Sequence, residues 1–259
     1  MSYNAIARLI KSRNSIDSKF LGELTRTIEK RNIPKKPSQS YKPSSIGGCL
    51  RNIYYQLCGA EVDNTSKDYC LIGIGESGTD RHERIQTAIS KMKEEGFNCD
   101  WLDVEEVIKE LKPEGTKVIA KSGMETKCFN DLYNLSFLCD GVVRYNGELY
   151  IIEIKTETSF KYSAHEEPFP EHKMQAACYS LALGINKVIF IYENRDTCDK
   201  KAYLVNVSDK LIDSVIDKIE LCDGFIDEGE VPPKSDIVKH CQYCNYKTQC
   251  RKDGEGDEL

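Results

Sequence analysis

The sequence predicts an α/β fold, a strand-bearing core with helical additions, on three observations. Apolar residues recur at helical spacing before residue 111, strands gather between residues 117 and 156, and helices alternate with strands from residue 171 onward.

The elements follow in chain order. Ile6, Leu9, Ile10 and Ile16, then Phe20, Leu21, Leu24 and Ile28, suit one long helix or two shorter ones over residues 3–32. Three prolines and four serines between Ile33 and Ser45 read as a linker or extended arm. Ser44 and Ser45 then cap a helix running through Cys58, with Ile46, Leu50, Ile53, Tyr54 and Leu57 inward. A helical segment over Gly73–Glu95 carries His82 on the stripe of Ile85, Ile89 and Met92. Trp101–Leu111 reads as a short helix ended by Pro113 and Gly115. Strands follow from Lys117, then a helix over Glu171–Leu183, strands at Val188–Tyr192 and Ala202–Val207, and a helix over Lys210–Phe225.

The stretch Ser136–Thr156 organises the rest. Asn146-Gly147 between two β-branched runs is a strong hairpin signal. A two-residue turn there sets Tyr145 against Glu148, Val143 against Tyr150, and Asp140 against Glu153. Side chains alternate along a strand, so Glu153 and Lys155 share one face while Ile152 and Ile154 enter the other. Facing carboxylates repel by a few tenths to about 1 kcal/mol. A divalent cation reverses that sign, and carboxylates suit magnesium or manganese. On the repulsion alone, removing either carboxylate leaves the metal-free fold intact or slightly more stable. A solvated charged face is the plainer account of the same pattern.

At 259 residues, 40% hydrophobic and 30% charged, the chain reads as soluble and globular, with one large core or two small ones. It has neither an apolar run of membrane length nor a secretory leader pattern, and its GDEL ending reads as an acidic tail, so the expected location is intracellular, in the cytoplasm. The net charge of −6 does not advertise a nucleic-acid binder, yet ten Lys or Arg against three Asp or Glu lie between Arg8 and Lys42. Of the twelve cysteines, eight (Cys58, Cys70, Cys99, Cys128, Cys139, Cys178, Cys198, Cys222) read as small buried hydrophobes. Cys241, Cys244 and Cys250 form C-x2-C-x5-C, three thiolates in one compact loop that want a fourth; Cys49 is the first choice and Cys58 the second. An iron–sulfur cluster and a structural zinc site both suit that set. His82 suits either a core histidine or a ligand of manganese, and Gln175 and Tyr179, four apart on one helix, suit either a polar edge or a pair aimed at the hairpin's charged face.

Taken together, these pieces resemble the RecB-type branch of the PD-(D/E)xK nucleases, close to the iron–sulfur exonucleases associated with CRISPR systems and their phage-encoded relatives. GTDRHERIQ carries that branch's histidine motif at His82, CDGVV its aspartate at Asp140, IIEIKT its E-x-K at Glu153 and Lys155, and HKMQAACYS its Q-x3-Y at Gln175 and Tyr179. Cys49 with Cys241, Cys244 and Cys250 matches its split cluster pattern, while Cys139 and Phe137 depart from residues common there. The resemblance implies a restriction-endonuclease-like core, a mixed central sheet flanked by helices, with an N-terminal helical extension and a C-terminal cysteine clasp. It implies an arm and linker over residues 1–44, a nuclease domain over 45–250 and an acidic tail over 251–259.

The same resemblance implies Mn2+ or Mg2+ held by His82, Asp140, Glu153 and the Ile154 carbonyl, and a [4Fe-4S] cluster, with Zn2+ as the alternative. Lys155 would position water or stabilise developing charge, and Gln175 and Tyr179 would hold Lys155 or touch substrate. Arg51, Lys35 and Lys36 would follow the phosphates of DNA. The expected activity is metal-dependent exonucleolytic hydrolysis of DNA ends or single strands, in recombination, repair or phage DNA metabolism. The competing readings are an endonuclease or DNA-processing subunit active within a partner complex or homo-oligomer, and a catalytically silent DNA- or protein-binding nuclease fold.

Overall fold

A computed structural model of the chain describes residues 15–32, 38–63, 68–242 and 244–254. The chain divides into two compact units, Met1–Lys36 with Asn64–Thr79, and Pro37–Asp63 with Asp80–Leu259. The smaller unit holds α1 (Ile16–Arg31) and the first half of α4 (Tyr69–Ser90), joined where the Tyr69 amide donates to Glu29. α1 buries none of its residues, and its stripe of Ile16, Phe20, Leu21 and Leu24 is exposed. Lys35 and Lys36 lie outside the described residues.

In the larger unit the expected single helix of residues 44–58 is two, α2 (Pro43–Ile46) and α3 (Leu50–Leu57), with Cys49 at the N-cap of α3. Gly47, just past α2, leaves no room for a side chain, because a Cβ there would stand 2.8 Å from the Glu171 backbone. Tyr41, placed in the expected linker, is instead buried, its hydroxyl donating to Asp223 Oδ1 at 2.6 Å and lying 3.1 Å from Ile219 O. Trp101 leaves the expected helix of residues 101–111 for a strand, β1 (Cys99–Leu102), and Asp103 caps the shorter α5 (Val104–Leu111).

β2 (Thr116–Ser122), β3 (Glu125–Asn130) and β4 (Leu135–Cys139) form an antiparallel three-stranded sheet. β5 (Gly141–Tyr145) and β6 (Glu148–Glu157) then enter a second sheet of order β1-β5-β6-β7-β8, completed by β7 (Lys187–Asn194) and β8 (Lys200–Asn206). In this sheet the β6–β7 pair is parallel and the other three pairs are antiparallel. A parallel pair needs a crossover, supplied by the short α6 (Ser159–Ser163) and then α7 (Pro170–Leu183). Ala176, Ala177 and Ala182 let α7 lie close on the sheet, and α8 (Asp209–Glu228) packs outside it. α9 (Val238–Gln242) and α10 (Lys247–Gly254) close the chain.

The main core, between the larger sheet and α7 and α8, gathers Ile46, Leu135, Ile151, Leu183, Phe190 and Val215. On the sheet's opposite face Ile152 and Ile154 pack with Ile85, Cys99 and Val143. The Asn146-Gly147 turn has φ of 51° and 87°, the left-handed geometry that hairpin sequence calls for. Three cysteines expected inside, Cys58, Cys70 and Cys198, are exposed, while Cys99, Cys128, Cys139, Cys178 and Cys222 are buried. No helix among the described residues is long and apolar enough to cross a membrane.

Candidate active site

Asp140 sits where the chain passes from one sheet to the other. The β3–β4 ladder ends at Thr126 and Cys139, the β5–β6 ladder at Gly141 and Ile152. One step beyond each last rung stands a carboxylate, Glu125 on one side of Asp140 and Glu153 on the other. The register expected from the turn is therefore present from Tyr145–Glu148 to Gly141–Ile152, and Asp140 lies at its open end.

Gly141 fixes this junction. The Trp101 indole lies against its backbone, so that a Cβ at Gly141 would come 2.1 Å from the ring. Asp140 turns inward and is 6% exposed. Its Oδ2 accepts the Ile154 amide at 2.7 Å, and its carbonyl accepts Gln86 Nε2 at 2.7 Å. Its Oδ1 faces His82 Nδ1 at 3.3 Å. Gln86 and His82 are one turn apart on α4, so one helix face holds both ends of the aspartate.

α4 is itself pinned. Arg81 and Arg84, flanking His82, reach the fully buried Glu193 at 2.6 and 2.7 Å, and Lys200 reaches it at 2.9 Å. Burial pushes the Glu193 carboxyl up, but Lys200 and the arginines hold it below the usual range.

Glu153 and Lys155 project from the α7 side of β6. Lys155 Nζ donates to Glu153 Oε1 at 2.6 Å and to Gln175 Oε1 at 2.8 Å. Gln175 Nε2 donates to Glu153 Oε1 at 2.7 Å and to the Tyr179 hydroxyl at 2.8 Å. Burial pushes the Glu153 carboxyl up to about 7; Lys155 opposes that and the Asp140 charge adds to it. Burial also drives the Tyr179 phenol far up, keeping it neutral. Burial pulls the His82 imidazole down, yet the Asp140 carboxylate more than offsets this and leaves it raised.

Sequence reasoning missed Glu125, Gln86 and the Glu193 anchor. Glu125 Oε1 stands 3.8 Å from His82 Nδ1, and burial beside Asp140 raises its pKa. His82, Asp140 and Glu125 offer three donor atoms all within 4.8 Å of one another. An imidazole nitrogen with carboxylate oxygens suits manganese or magnesium, so these donors fit the divalent cation.

The cysteine residues lie apart from these groups in the chain. Cys241, Cys244 and Cys250 line a cavity of about 660 Å³ rimmed by Lys234, Lys239, Lys247 and Arg251. From α3, Asn52 Nδ2 donates to Cys244 Sγ at 3.1 Å and Arg51 Nη1 to Cys250 Sγ at 3.7 Å. Tyr55 adds a hydrogen bond to Asp253 and ring contact with Tyr246. Arg51, expected along DNA, is 3% exposed and also donates to Pro232 O, so its guanidinium is spent inside the protein.

The CRISPR-associated exonuclease Cas4 of Francisella tularensis subsp. novicida (strain U112) is 29% identical to this chain over 126 residues, 46% of this chain and 57% of that protein. Over that stretch the chain is similar to a CRISPR-associated exonuclease. The match spans little more than half of that relative's length. The crystal structure of SSO0001 superposes with a TM-score of 0.50 at 18% identity, covering 90% of this chain and 98% of that one, which shows a shared fold. An alkaline exonuclease from Laribacter hongkongensis, LHK-Exo, gives a TM-score of 0.44 at 13% identity over 79% of this chain and 94% of that one. No family model matches the chain.

Proposed function

We propose that the chain is a metal-dependent DNA exonuclease that hydrolyses phosphodiester bonds at DNA ends or in single strands. The observation that carries this reading is the convergence of His82, Asp140, Glu153, Lys155 and Gln175 from α4, the sheet junction, β6 and α7. His82, Asp140, Glu153 and the Ile154 carbonyl would hold Mn2+ or Mg2+, which when bound polarises the scissile phosphate and acidifies water. The Ile154 amide holds Asp140 with Oδ1 turned toward His82. Gln175 holds the Lys155 ammonium beside Glu153, where it would meet charge developing on the phosphate. Lys155, which can only donate, fixes which way the Gln175 amide faces, and the Tyr179 hydroxyl accepts from Gln175 Nε2.

The second metal centre belongs to the same reading. Cys49, Cys241, Cys244 and Cys250 would hold a [4Fe-4S] cluster that fastens the C-terminal segment to α3. Three of these thiols face a cavity with a cationic rim, which suits the negative charge of a thiolate-bound cluster. Tetrahedral Zn2+ is the alternative occupant of the same thiolates.

End-labelled linear and circular single-stranded DNA, incubated with the protein and Mn2+ or Mg2+, tests the activity. Shortening of the linear substrate with the circle intact is the expected result. Cleavage of the circle would move the reading to an endonuclease, and no cleavage of either would remove it.

A further inference from the structure

The three-stranded sheet delivers an acid that the motifs do not contain. We infer that Glu125 is a ligand of the divalent cation held by His82 and Asp140. The inference rests on the nuclease reading only for the presence of that cation.

Four observations carry it. Asp140 forks between two ladders, with Glu125 one step past the end of β3–β4 and Glu153 one step past the end of β5–β6. The two oxygens of Asp140 are divided accordingly: Oδ2 is taken by the Ile154 amide, and Oδ1 faces His82. Glu153 Oε1 is engaged by Lys155 and Gln175, whereas Glu125 has His82, at 3.8 Å, as its charged partner among the described residues. Finally, ligand atoms about 2.1 Å from one metal stand about 3 Å apart when adjacent and about 4.2 Å apart when opposite. The 3.3 and 3.8 Å separations from His82 Nδ1 fall within that spacing.

Charge points the same way. Glu153 carries its own counter-ion in Lys155, but Asp140 and Glu125 share a single imidazole. With His82 neutral, as a ligating imidazole is, Asp140 and Glu125 carry two negative charges that a divalent cation would balance. The β2–β3 hairpin, turned at Gly123 with φ of 59°, thus carries a ligand to the site as well as extending the fold.

The test reads metal rather than cleavage. Mn2+ titrations of the full-length protein, followed by calorimetry and by the loss of the free-ion electron paramagnetic resonance signal, compare wild type with Glu125→Gln and Glu125→Ala. Ligation predicts Mn2+ affinity weakened in both variants by at least the roughly 10–100-fold that losing a ligand's hydrogen-bonded partner costs, with near-ultraviolet circular dichroism unchanged. Affinity within about twofold of wild type in the well-folded Glu125→Gln protein overturns the inference. Because no DNA is present, that result stands apart from the outcome with end-labelled DNA. If Glu125→Gln loses its tertiary signal, Glu125→Asp decides: it keeps the charge and withdraws it by one methylene, so ligation still predicts weaker Mn2+ binding, and wild-type affinity refutes it.

Discussion

The Asp140 carboxylate accepts a hydrogen bond from the backbone amide of Ile154 at 2.7 Å, inside the larger sheet where β5 and β6 part. The side chain thereby continues the ladder that its own backbone has left. A residue expected to strain the metal-free fold by facing Glu153 instead satisfies a buried donor, and this reverses the expectation for its removal.

Asp140→Ala should destabilise the metal-free protein by about 1–3 kcal/mol, the cost of an unsatisfied buried amide. Asp140→Asn retains a carbonyl oxygen for Ile154 and should recover most of that loss while remaining inactive. Urea unfolding of the three metal-free proteins checks this. Equal stability of Asp140→Ala and wild type would restore the simple repulsion argument.

Lys155 is expected to influence the metal through Glu153. Burial already pushes that carboxyl up to about 7, and the adjacent ammonium is what restrains it. Lys155→Ala should therefore raise the Glu153 pKa further and weaken Mn2+ binding at pH 7, with affinity returning toward wild type above pH 8. A loss of affinity that is the same at both pH values would make Lys155 a direct requirement for the site's geometry.

The hairpin register, the shared face of Glu153 and Lys155 and the i, i+4 pair on α7 were legible because each depends on local periodicity. Asn146-Gly147 permits one register, and that register carried Asp140 to the open end of the β5–β6 ladder, one step before Gly141. Glu125 was illegible because its nearness to Asp140 exists only once β3 pairs with β4, and nothing in METKCF announces that partner. Trp101 was misplaced because a strand of four residues precedes VEEVIKEL, whose helical pattern extends over it. Arg51 was misread because positive charge signals phosphate contact only when it reaches solvent, and its neighbours Pro232 and Cys250 come from the far end of the chain.

Glu193 should act on the metal without touching it. Glu193→Gln leaves Arg81 and Arg84 without the carboxylate that holds α4, and because both arginines are partly solvated the stability loss should fall at or below the low end of roughly 3–5 kcal/mol. If the anchor works by positioning His82, the substitution weakens Mn2+ binding in wild type but not in a His82→Ala background. Additive losses in that double-mutant cycle would show Glu193 to be a fold residue only.

His172 offers a pH test clear of the metal donors. Burial, with the Lys155 and Lys161 charges, lowers its pKa to about 4, and its Nδ1 stands 2.8 Å from the Tyr192 hydroxyl. The unfolded chain takes up this proton near pH 6.5 and the native protein only near 4. Stability from neutral His172 is thus complete above pH 6.5 and lost as pH falls toward 4, by up to about 3 kcal/mol. His172→Gln should flatten the stability profile between those limits relative to wild type. Parallel profiles would mean that His172 titrates normally in the folded protein.

The cysteine clasp makes the last prediction. Asn52 and Arg51 of α3 donate to Cys244 and Cys250, and Cys49 stands at the N-cap position of the same helix, so the proposed clasp would join residues nearly two hundred positions apart. Closing so long a loop constrains the unfolded chain strongly, on an entropic account that depends on the unfolded-state model. Protein purified without air should be brown and carry about four iron and about four sulfide per chain. Cys49→Ala should bleach it as fully as Cys244→Ala and lower the melting temperature of the larger unit. Asn52→Leu, which removes one N–H···S bond and no ligand, should leave the colour but hasten its loss in air. A colourless wild type with one zinc would keep the clasp and replace its metal. A complete cluster in Cys49→Ala would break the clasp, and Cys58, exposed at the other end of α3, would be the next thiol to replace.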